Sequence, residues 1–517
     1  MHWADEVAAE LIRLHPNKEI FICASGITPS GTIHIGNFRE AVTSYFVARA
    51  LRDAGKKVRL IYSWDTYDRL RKVPANVDPS YSKYIGMPIN DIPDPAGTGI
   101  SYAQSFINPF EEAMTEFGME VECINQAEMY KSGVYKDGII KALKARKEIY
   151  DILMSFKTQE ASAADRESYY PINIYCRKCG KDTTKVKALS NDCKSLTYTC
   201  ACGHEESLDL NKDFNVKLPW KVDWPMRWVH EGVDFEPGGR DHSSEGGSYQ
   251  VASVIVDKIF GGRPPHYRGY EFINIKGMNT KMSSSSGNAI APEELLKIYN
   301  PEIILWMFTR FLPEKAFDIA VDEEVLRTYH EFDRMCKAVT DGTADDVVKR
   351  SISLAAGDKK PAEQISASNI AAFAPIVNFD LDLLVALFNK IGEKTTRAEI
   401  EARFNKIKYW LQKYCPEQIV ALLADKNKEF FTGMSAEEKG WIKKLSDSLR
   451  AKDMTTEELQ SLLYDIPKID GVPDKAKQKR FFEVVYNLLI GKSTGPRLYL
   501  FLAAIDKNKL IELLGNS

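Results

Sequence analysis

Near the start of the chain the spacing of apolar positions changes twice. EIFIC (19–23) is a short unbroken apolar run, the pattern of a buried strand. In NFREAVTSYFVARALRDAG (37–55), Phe38, Ala41, Val42, Tyr45 and Ala48 recur at helical spacing, and Gly55 is placed to end the helix. KVRLIYSW (57–64) is again a strand run. Strand, turn, helix and strand in that order predict the start of a parallel sheet. Residues 75–110, rich in Pro, Gly, Tyr and Asn, predict an irregular insertion, 107–124 a helix–strand pair, and 134–158 one long helix with a basic face. The α/β pattern returns over 214–275, with a helix end at 255–265 and a last strand at 270–277. After about residue 290 the spacing is almost wholly helical, in 291–311 and on through Lys337, and again up to 514; a polar stretch at 341–369 marks a boundary. The expected architecture is a Rossmann-like parallel-sheet α/β domain (1–290) with an insertion at about 75–212, then a helical connecting domain (291–360) and an all-helical C-terminal domain (361–517).

The first strand and helix are joined by ASGITPSGTIHIGN (24–37). Gly26, Gly31 and Gly36, with Pro29 and Ser30 fixing the turn, let backbone approach a ligand closely, and a helix N-terminus offers N–H groups and a positive dipole end to phosphate. His34 adds a side-chain donor. The stretch is neither a Walker A loop nor a GxGxxG turn, so a phosphate site of another kind is expected. Much later KGMNTKMSSSSGN (276–288) sets Lys281 beside four serines, a loop able to close over a triphosphate with one cation and several hydroxyl donors. Asp65 and Asp68 follow the second strand, where open parallel sheets bind ligands, although Asp68 is expected to be merely solvated. Trp220, Asp241, His242 and Tyr270, from two segments dense in aromatic and polar residues, are candidates to line a pocket.

Charge and cysteine usage narrow the picture. A net charge of −3 gives no global basic bias, so a nucleic-acid partner needs a local basic surface. Lys475, Lys477, Lys479, Arg480, Lys492 and Arg497 form the clearest cluster, which a solvated surface explains about as well as RNA contact. No apolar stretch approaches a membrane span and the N-terminus lacks a signal-peptide pattern, so a soluble cytoplasmic protein is expected. Five of nine cysteines crowd between Cys176 and Cys202. Cys-x-x-Cys-Gly at 176–180 and Cys-x-Cys-Gly at 200–203 suit two knuckles gripping one structural zinc through Cys176, Cys179, Cys200 and Cys202, with Cys193 and His204 nearby as spare ligands.

The two loops, in this order around an α/β pattern, resemble the HIGH and KMSKS motifs of class I aminoacyl-tRNA synthetases, with Asn37 where the second His usually lies and Ser284 where the second Lys lies. With YSWDTYDRLRKVP, LPWKVDWPMRW, GRDHSSEGGSY and GKSTGPRLYLFLAAI they are similar to the class I lysyl-tRNA synthetase family over essentially the whole chain. That resemblance implies ATP-Mg²⁺-dependent formation of lysyl-adenylate, with tRNA needed for activation, and transfer to the terminal adenosine of lysine tRNA. It implies that Gly26, Thr28, Trp220, His242 and Tyr270 contact lysine, and that Pro29, Gly31, His34, Gly36, Asn37, Lys281, Ser283, Ser284 and Ser285 serve ATP. His34, Asn37 and Lys281 would carry catalysis, and the C-terminal helical domain would read the anticodon. Glutamate-activating relatives carry an Arg on the first strand; EIFICASG has none, and acids such as Asp65 or Asp241 suit an ammonium. Lysine, ATP and lysine tRNA are the expected partners, with a monomer favoured. Two alternatives remain: a silent tRNA-binding paralogue, and a nucleotidyltransferase of the same fold acting on a small amine.

Overall fold

The computed structural model describes residues 1–157, 162–276, 290–357 and 365–515, apart from the side chain of Asp241. Its centre is a five-stranded, all-parallel sheet of β1 (Ile20–Ile27), β2 (Lys57–Trp64), β3 (Glu122–Asn125), β4 (Phe235–Gly239) and β5 (His266–Tyr270), in the order β5-β4-β1-β2-β3. β1 and β2 pair along their full length, from Ile20↔Lys57 to Ile27↔Trp64. β1 and β4 share one register pair, Cys23↔Phe235. The chain order reverses between these two strands, and ligands of open α/β sheets bind at the carboxyl ends of the strands flanking such a reversal.

Helix α1 (Trp3–Leu14) precedes the sheet and α2 (Ile35–Asp53) joins β1 to β2. The predicted stripe of α2 is buried, but so are Thr43, Ser44, Phe46 and Val47, so the helix is covered nearly all round. Phe38 stacks on Phe117 at 4.5 Å and meets Phe110 and Phe308 edge-on, while Ser44 Oγ donates to the Ala24 carbonyl of β1 (2.7 Å). Helices α3 (Tyr102–Glu116) and α4 (Trp220–Glu231) complete the elements around the sheet that concern the site.

Two sequence expectations need correction. The long helix at 134–158 breaks at Ala145 into Lys136–Lys144 and Arg146–Ser155. Two of its basic residues reach carbonyls of other segments: Lys141 donates to the Phe260 carbonyl (3.1 Å) and Arg146 to those of Glu167 (2.7 Å) and Tyr169 (3.0 Å). The last strand of the sheet is not 270–277 but His266–Tyr270, whose residues are all half-buried and show no apolar run. Ile273–Ile275 pairs instead with Phe317–Ile319. The helical spacing of 291–311 is met by two short helices, Pro292–Leu295 and Pro301–Thr309, with Pro301 opening the second.

The chain divides into two compact units, Met1–Leu296 with Pro301–Ile319 and Gly342–Lys359, and Lys297–Asn300 with Ala320–Asp341 and Lys360–Ser517. In the second unit every regular element is helical among the described residues. Thr396/Glu399, Ser435/Glu438 and Thr455/Glu458 close capping boxes, each satisfying two backbone donors at a helix start. The basic cluster of 475–497 lies here, and half of its six residues are paired with acids: Lys477 pairs with Glu437, Arg480 with Glu438 (2.7 Å) and Glu483 (3.4 Å), and Lys479 with Glu483 (4.0 Å). Among the described residues no single helix is long and apolar enough to cross a membrane.

Candidate active site

His34 is the N-cap of α2, with extended backbone. Its Nδ1 accepts the Asn37 N–H (3.3 Å), and Asn37 Oδ1 accepts the His34 N–H (3.1 Å). Because Nδ1 is an acceptor, the ring proton belongs on Nε2, which makes that atom a donor. Pro29 and Gly31 are buried in the turn, while Gly36 and Asn37 are half-buried. Upstream, Gly26 lies opposite Ser63 of β2, and a Cβ there would sit 2.6 Å from the Ser63 carbonyl oxygen. Only glycine fits, and its N–H donates to Glu40 Oε1 (3.0 Å).

Arg39 ties α2 to the chain entering the serine-rich segment. Its buried guanidinium donates to the carbonyls of Glu271 (2.7 Å), Phe272 (3.3 Å), Leu312 (3.3 Å) and Lys315 (2.7 Å). On the far side of that segment, the Ile290 carbonyl accepts the Ile35 N–H (2.8 Å). Lys281, Ser283, Ser284 and Ser285 themselves lie outside the described residues.

A cavity opens between β1, β2, β4 and α4 at the reversal point of the sheet. Gly26, Glu40, Ser63, Asp65, Gln126, Trp220, Trp224, Arg227, Glu236 and His242 are among its lining residues. Trp220 and Trp224 stack at 4.9 Å, with the His242 ring 5.8 Å from Trp224. Glu40 accepts from Gly26 and from the Tyr270 hydroxyl (2.7 Å), and burial pushes its carboxyl up to about 8. Glu236 accepts from Trp228 Nε1 (2.6 Å), and burial pushes it up to about 7. Arg227 is engaged by Asp65 (2.7 Å) and Asp223 (3.2 Å). An aromatic wall therefore faces Glu40 and Glu236, which are held by neutral donors, while Asp65 is paired with Arg227.

Gly26, Asp65, Trp220 and His242 share this cavity; Tyr270 reaches it through Glu40, and the side chain of Asp241 lies outside the described residues. Thr28 does not line it but donates to Asp68 Oδ2 (2.6 Å). Asp68, expected to be solvated, instead holds both Thr28 and Lys217 (2.6 Å).

Away from the sheet, Cys176, Cys179, Cys200 and Cys202 place all four Sγ atoms within 4.8 Å of one another. Cys176–Cys202 and Cys179–Cys200 are 3.8 and 3.6 Å apart. A tetrahedron with zinc–sulfur bonds of ~2.3 Å has sulfurs about 3.8 Å apart, so the four thiols can hold a metal ion of that size. Gly180 (φ 73°) and Gly203 (φ 84°) supply the left-handed turns that close each knuckle. The knuckles sit on an antiparallel sheet of Thr184–Leu189, Ser195–Cys200 and Glu205–Asp209. Neither proposed spare ligand joins the quartet: His204 turns toward Glu206 (3.4 Å), and Cys193 is buried in the Ser190–Ser195 turn.

Residues 1–357 match the family described as tRNA synthetases class I (K). The chain belongs to that family. Lysine–tRNA ligases of Pyrococcus horikoshii (34% identical) and Pyrococcus furiosus (35%) each align over 99% of this chain and 99% of their own length. That of Streptomyces coelicolor, 36% identical, aligns over 99% of this chain and 97% of its own.

Within this class I (K) synthetase the sequence reading missed Glu40, Trp224, Arg227 and Glu236. Glu40 lies in a helix whose pattern spells core, and Glu236 in an otherwise apolar strand. An ionisable residue inside a buried element was the one signal available for either.

Proposed function

We propose that the protein is a lysine–tRNA ligase, activating lysine with ATP and passing the lysyl group to the 3′-terminal adenosine of lysine tRNA. The observation that carries this reading is the acidic, aromatic-walled cavity beside the capped turn of α2. The indole faces of Trp220 and Trp224 suit four methylenes, and Glu40 and Glu236 suit the ammonium that ends them. A glutamate side chain would instead place a further acid against two that burial already keeps from ionising. The near full-length match to relatives named lysine–tRNA ligase favours the same substrate over a silent or tRNA-independent role.

On this reading a lysine carboxylate oxygen attacks the α-phosphorus of ATP, the bond to the leaving pyrophosphate breaks, and a carboxyl–phosphate anhydride results. A ribose hydroxyl of the tRNA terminus then attacks the lysyl carbonyl and AMP leaves. The turn of Pro29, Gly31 and Gly36 receives the nucleotide, and Asn37 keeps His34 oriented. His34 Nε2–H stabilises charge on the phosphate, while Lys281 with Ser283, Ser284 and Ser285 does so at the pyrophosphate. Mg²⁺ accompanies ATP as part of the substrate. No residue forms a covalent intermediate, so rate comes from positioning and preset donors, a donor of this kind being worth ~3–4 kcal/mol. The bond between Ile35 and Ile290 brings the residue that follows the serine-rich segment to the first residue of α2. The four cysteines would hold a structural zinc, which when bound closes the knuckle and supplies no reactive group. The helical second unit would contact the anticodon.

Aminoacylation with radiolabelled lysine tests the reading: charging of lysine tRNA is expected, and lysine binding without charging would favour the silent paralogue. In ATP–pyrophosphate exchange with tRNA present, Lys281→Ala should slow adenylate formation far more than it weakens lysine binding. An unchanged exchange rate would remove that loop from the mechanism.

A further inference from the structure

Beside the amino-acid cavity lies a buried cluster of three acids, Asp65, Asp68 and Asp223, and two bases, Lys217 and Arg227. Lys217 is 4% exposed and Asp223 fully buried. The Lys217 ammonium binds Asp68 Oδ1 (2.6 Å), lies 3.5 Å from Asp223 Oδ2, and sits over the Tyr130 ring. The other oxygen of Asp68 accepts from Thr28 Oγ1 (2.6 Å), one residue beyond the end of β1. Burial opposes charge on Lys217, but the carboxylates of Asp68, Asp223 and Asp65 outweigh it and keep the ammonium protonated. Burial likewise opposes charge on Asp68, and Lys217 and Thr28 together hold its carboxyl below the usual range.

Lys217 reaches this position from outside the central sheet. Val216–Lys217 pairs antiparallel with Asn173–Ile174. Asn215 accepts the Tyr175 N–H on its carbonyl (2.8 Å) and returns a bond from Nδ2 to the Tyr175 carbonyl (2.7 Å). The next residue is Cys176, the first thiol of the quartet. From the other side the Tyr175 hydroxyl donates to the carbonyl of Tyr67, the neighbour of Asp68 (2.5 Å). The strand on which the knuckle is anchored is therefore the strand that delivers the ammonium to Asp68.

We propose that Lys217 is a positioning residue for the amino-acid site: it fixes Asp68, Asp68 fixes the hydroxyl of Thr28 and with it the end of β1, whose Gly26 lines the cavity and donates to Glu40, and the strand pairing at the base of the four-cysteine knuckle fixes Lys217. This rests on the cavity being the lysine site. The buried geometry favours positioning over mere packing, because Asp68 spends its two oxygens on two segments that meet nowhere else in the relay: the turn after β1 and the base of the insertion.

The test is lysine binding to the full-length protein, followed by fluorescence of Trp220 and Trp224, alongside thermal melting. Lys217→Met, similar in volume but uncharged, should raise the lysine Kd at least tenfold, and Lys217→Arg should recover most of the loss. Thr28→Val breaks the link at its other end, so the Thr28→Val/Lys217→Met double variant should bind no worse than the weaker single. A melting shift with lysine Kd within twofold of wild type would overturn the proposal, as would full additivity of the two losses. Should Lys217→Met fail to fold, Asp68→Asn and Thr28→Val apply the same criterion. Wild-type protein that binds no lysine would overturn the ligase reading and this relay together, whereas wild-type binding with unaffected variants would overturn the relay alone.

Discussion

His34 and Asn37 each accept the other's backbone N–H, at 3.3 and 3.1 Å, so the two motif side chains are also the cap of the helix that carries them. The substitution of Asn for the second histidine of the motif is thereby explained locally. An amide oxygen at N3 completes a reciprocal cap, the role Glu or Gln plays in the common box. The tautomer of His34 is set by the other bond, from the Asn37 backbone N–H to Nδ1, so the amide side chain holds the turn while the backbone holds the ring.

Asn37→Ala should therefore cost ~1 kcal/mol of stability through the lost cap and slow exchange less than tenfold. His34→Ala should slow ATP–pyrophosphate exchange, with tRNA present, by about 100-fold or more. Thermal melting and exchange on the two variants separate the roles; equal losses of rate would mean that both side chains face the nucleotide.

Among the described residues no carboxylate hydrogen-bonds the buried Arg39, and desolvation lowers its pKa to about 10. It satisfies four carbonyls, those of Glu271 and Phe272 before the serine-rich segment and those of Leu312 and Lys315 well after it. Arg39→Met leaves those acceptors buried and unmade, at roughly 1–3 kcal/mol for each that water cannot reach. Denaturant unfolding should show a loss of at least ~3 kcal/mol, and exchange should fall more than lysine binding does. A loss under 1 kcal/mol would mean that water replaces the guanidinium.

Much of this was legible in the sequence where a short-range pattern sufficed. The α2 stripe, the run at 57–64 and the cysteine spacings each declare themselves within a few residues. What stayed hidden needs partners far apart in the chain. Glu40 becomes a site residue only when Gly26 and Tyr270, 230 positions from it, converge on its carboxylate. Asp65 looked like a free acid for an ammonium until Arg227, 162 positions on, took it. The break at Ala145 was invisible because both halves keep helical spacing.

Gly26→Ala should disable the protein by crowding rather than by chemistry. The added methyl meets the Ser63 backbone oxygen at 2.6 Å and Cβ at 2.9 Å, and backbone cannot rotate aside. Strands β1 and β2 must separate, costing ~1–3 kcal/mol, and the N–H that orients Glu40 moves with them. Gly26→Ala combined with Ser63→Gly removes only the Cβ contact, so stability should recover in part. Full recovery would show that the carbonyl was never the obstacle.

Metal content gives an independent check on the knuckle. One equivalent of zinc per chain is expected by elemental analysis, and Cys176→Ser or Cys200→Ser should lose it. Because Asn215 ties Tyr175, and so the residue before Cys176, to the strand of Lys217, chelation should also weaken lysine binding measurably while ATP binding changes little. Metal-free protein that binds lysine normally would show that the strand pairing holds without the ion.

With lysine in the cavity as proposed, the raised carboxyl of Glu40 would make its binding a proton-release reaction. In the free protein burial holds the group near 8, so at pH 7 most molecules carry the proton. An ammonium placed against it favours the ionised form and expels that proton. Affinity for lysine should then rise with pH up to about 8, by as much as tenfold per unit, and level off once Glu40 is already ionised. Calorimetry at pH 7 in two buffers of different ionisation enthalpy should find close to one proton released per lysine bound, with a further contribution from Glu236, which titrates near 7. Glu40→Gln should abolish most of the release and the pH slope together. Binding that releases no proton would place the ammonium elsewhere in the cavity, since no other position brings a cation against both oxygens that Gly26 and Tyr270 have oriented.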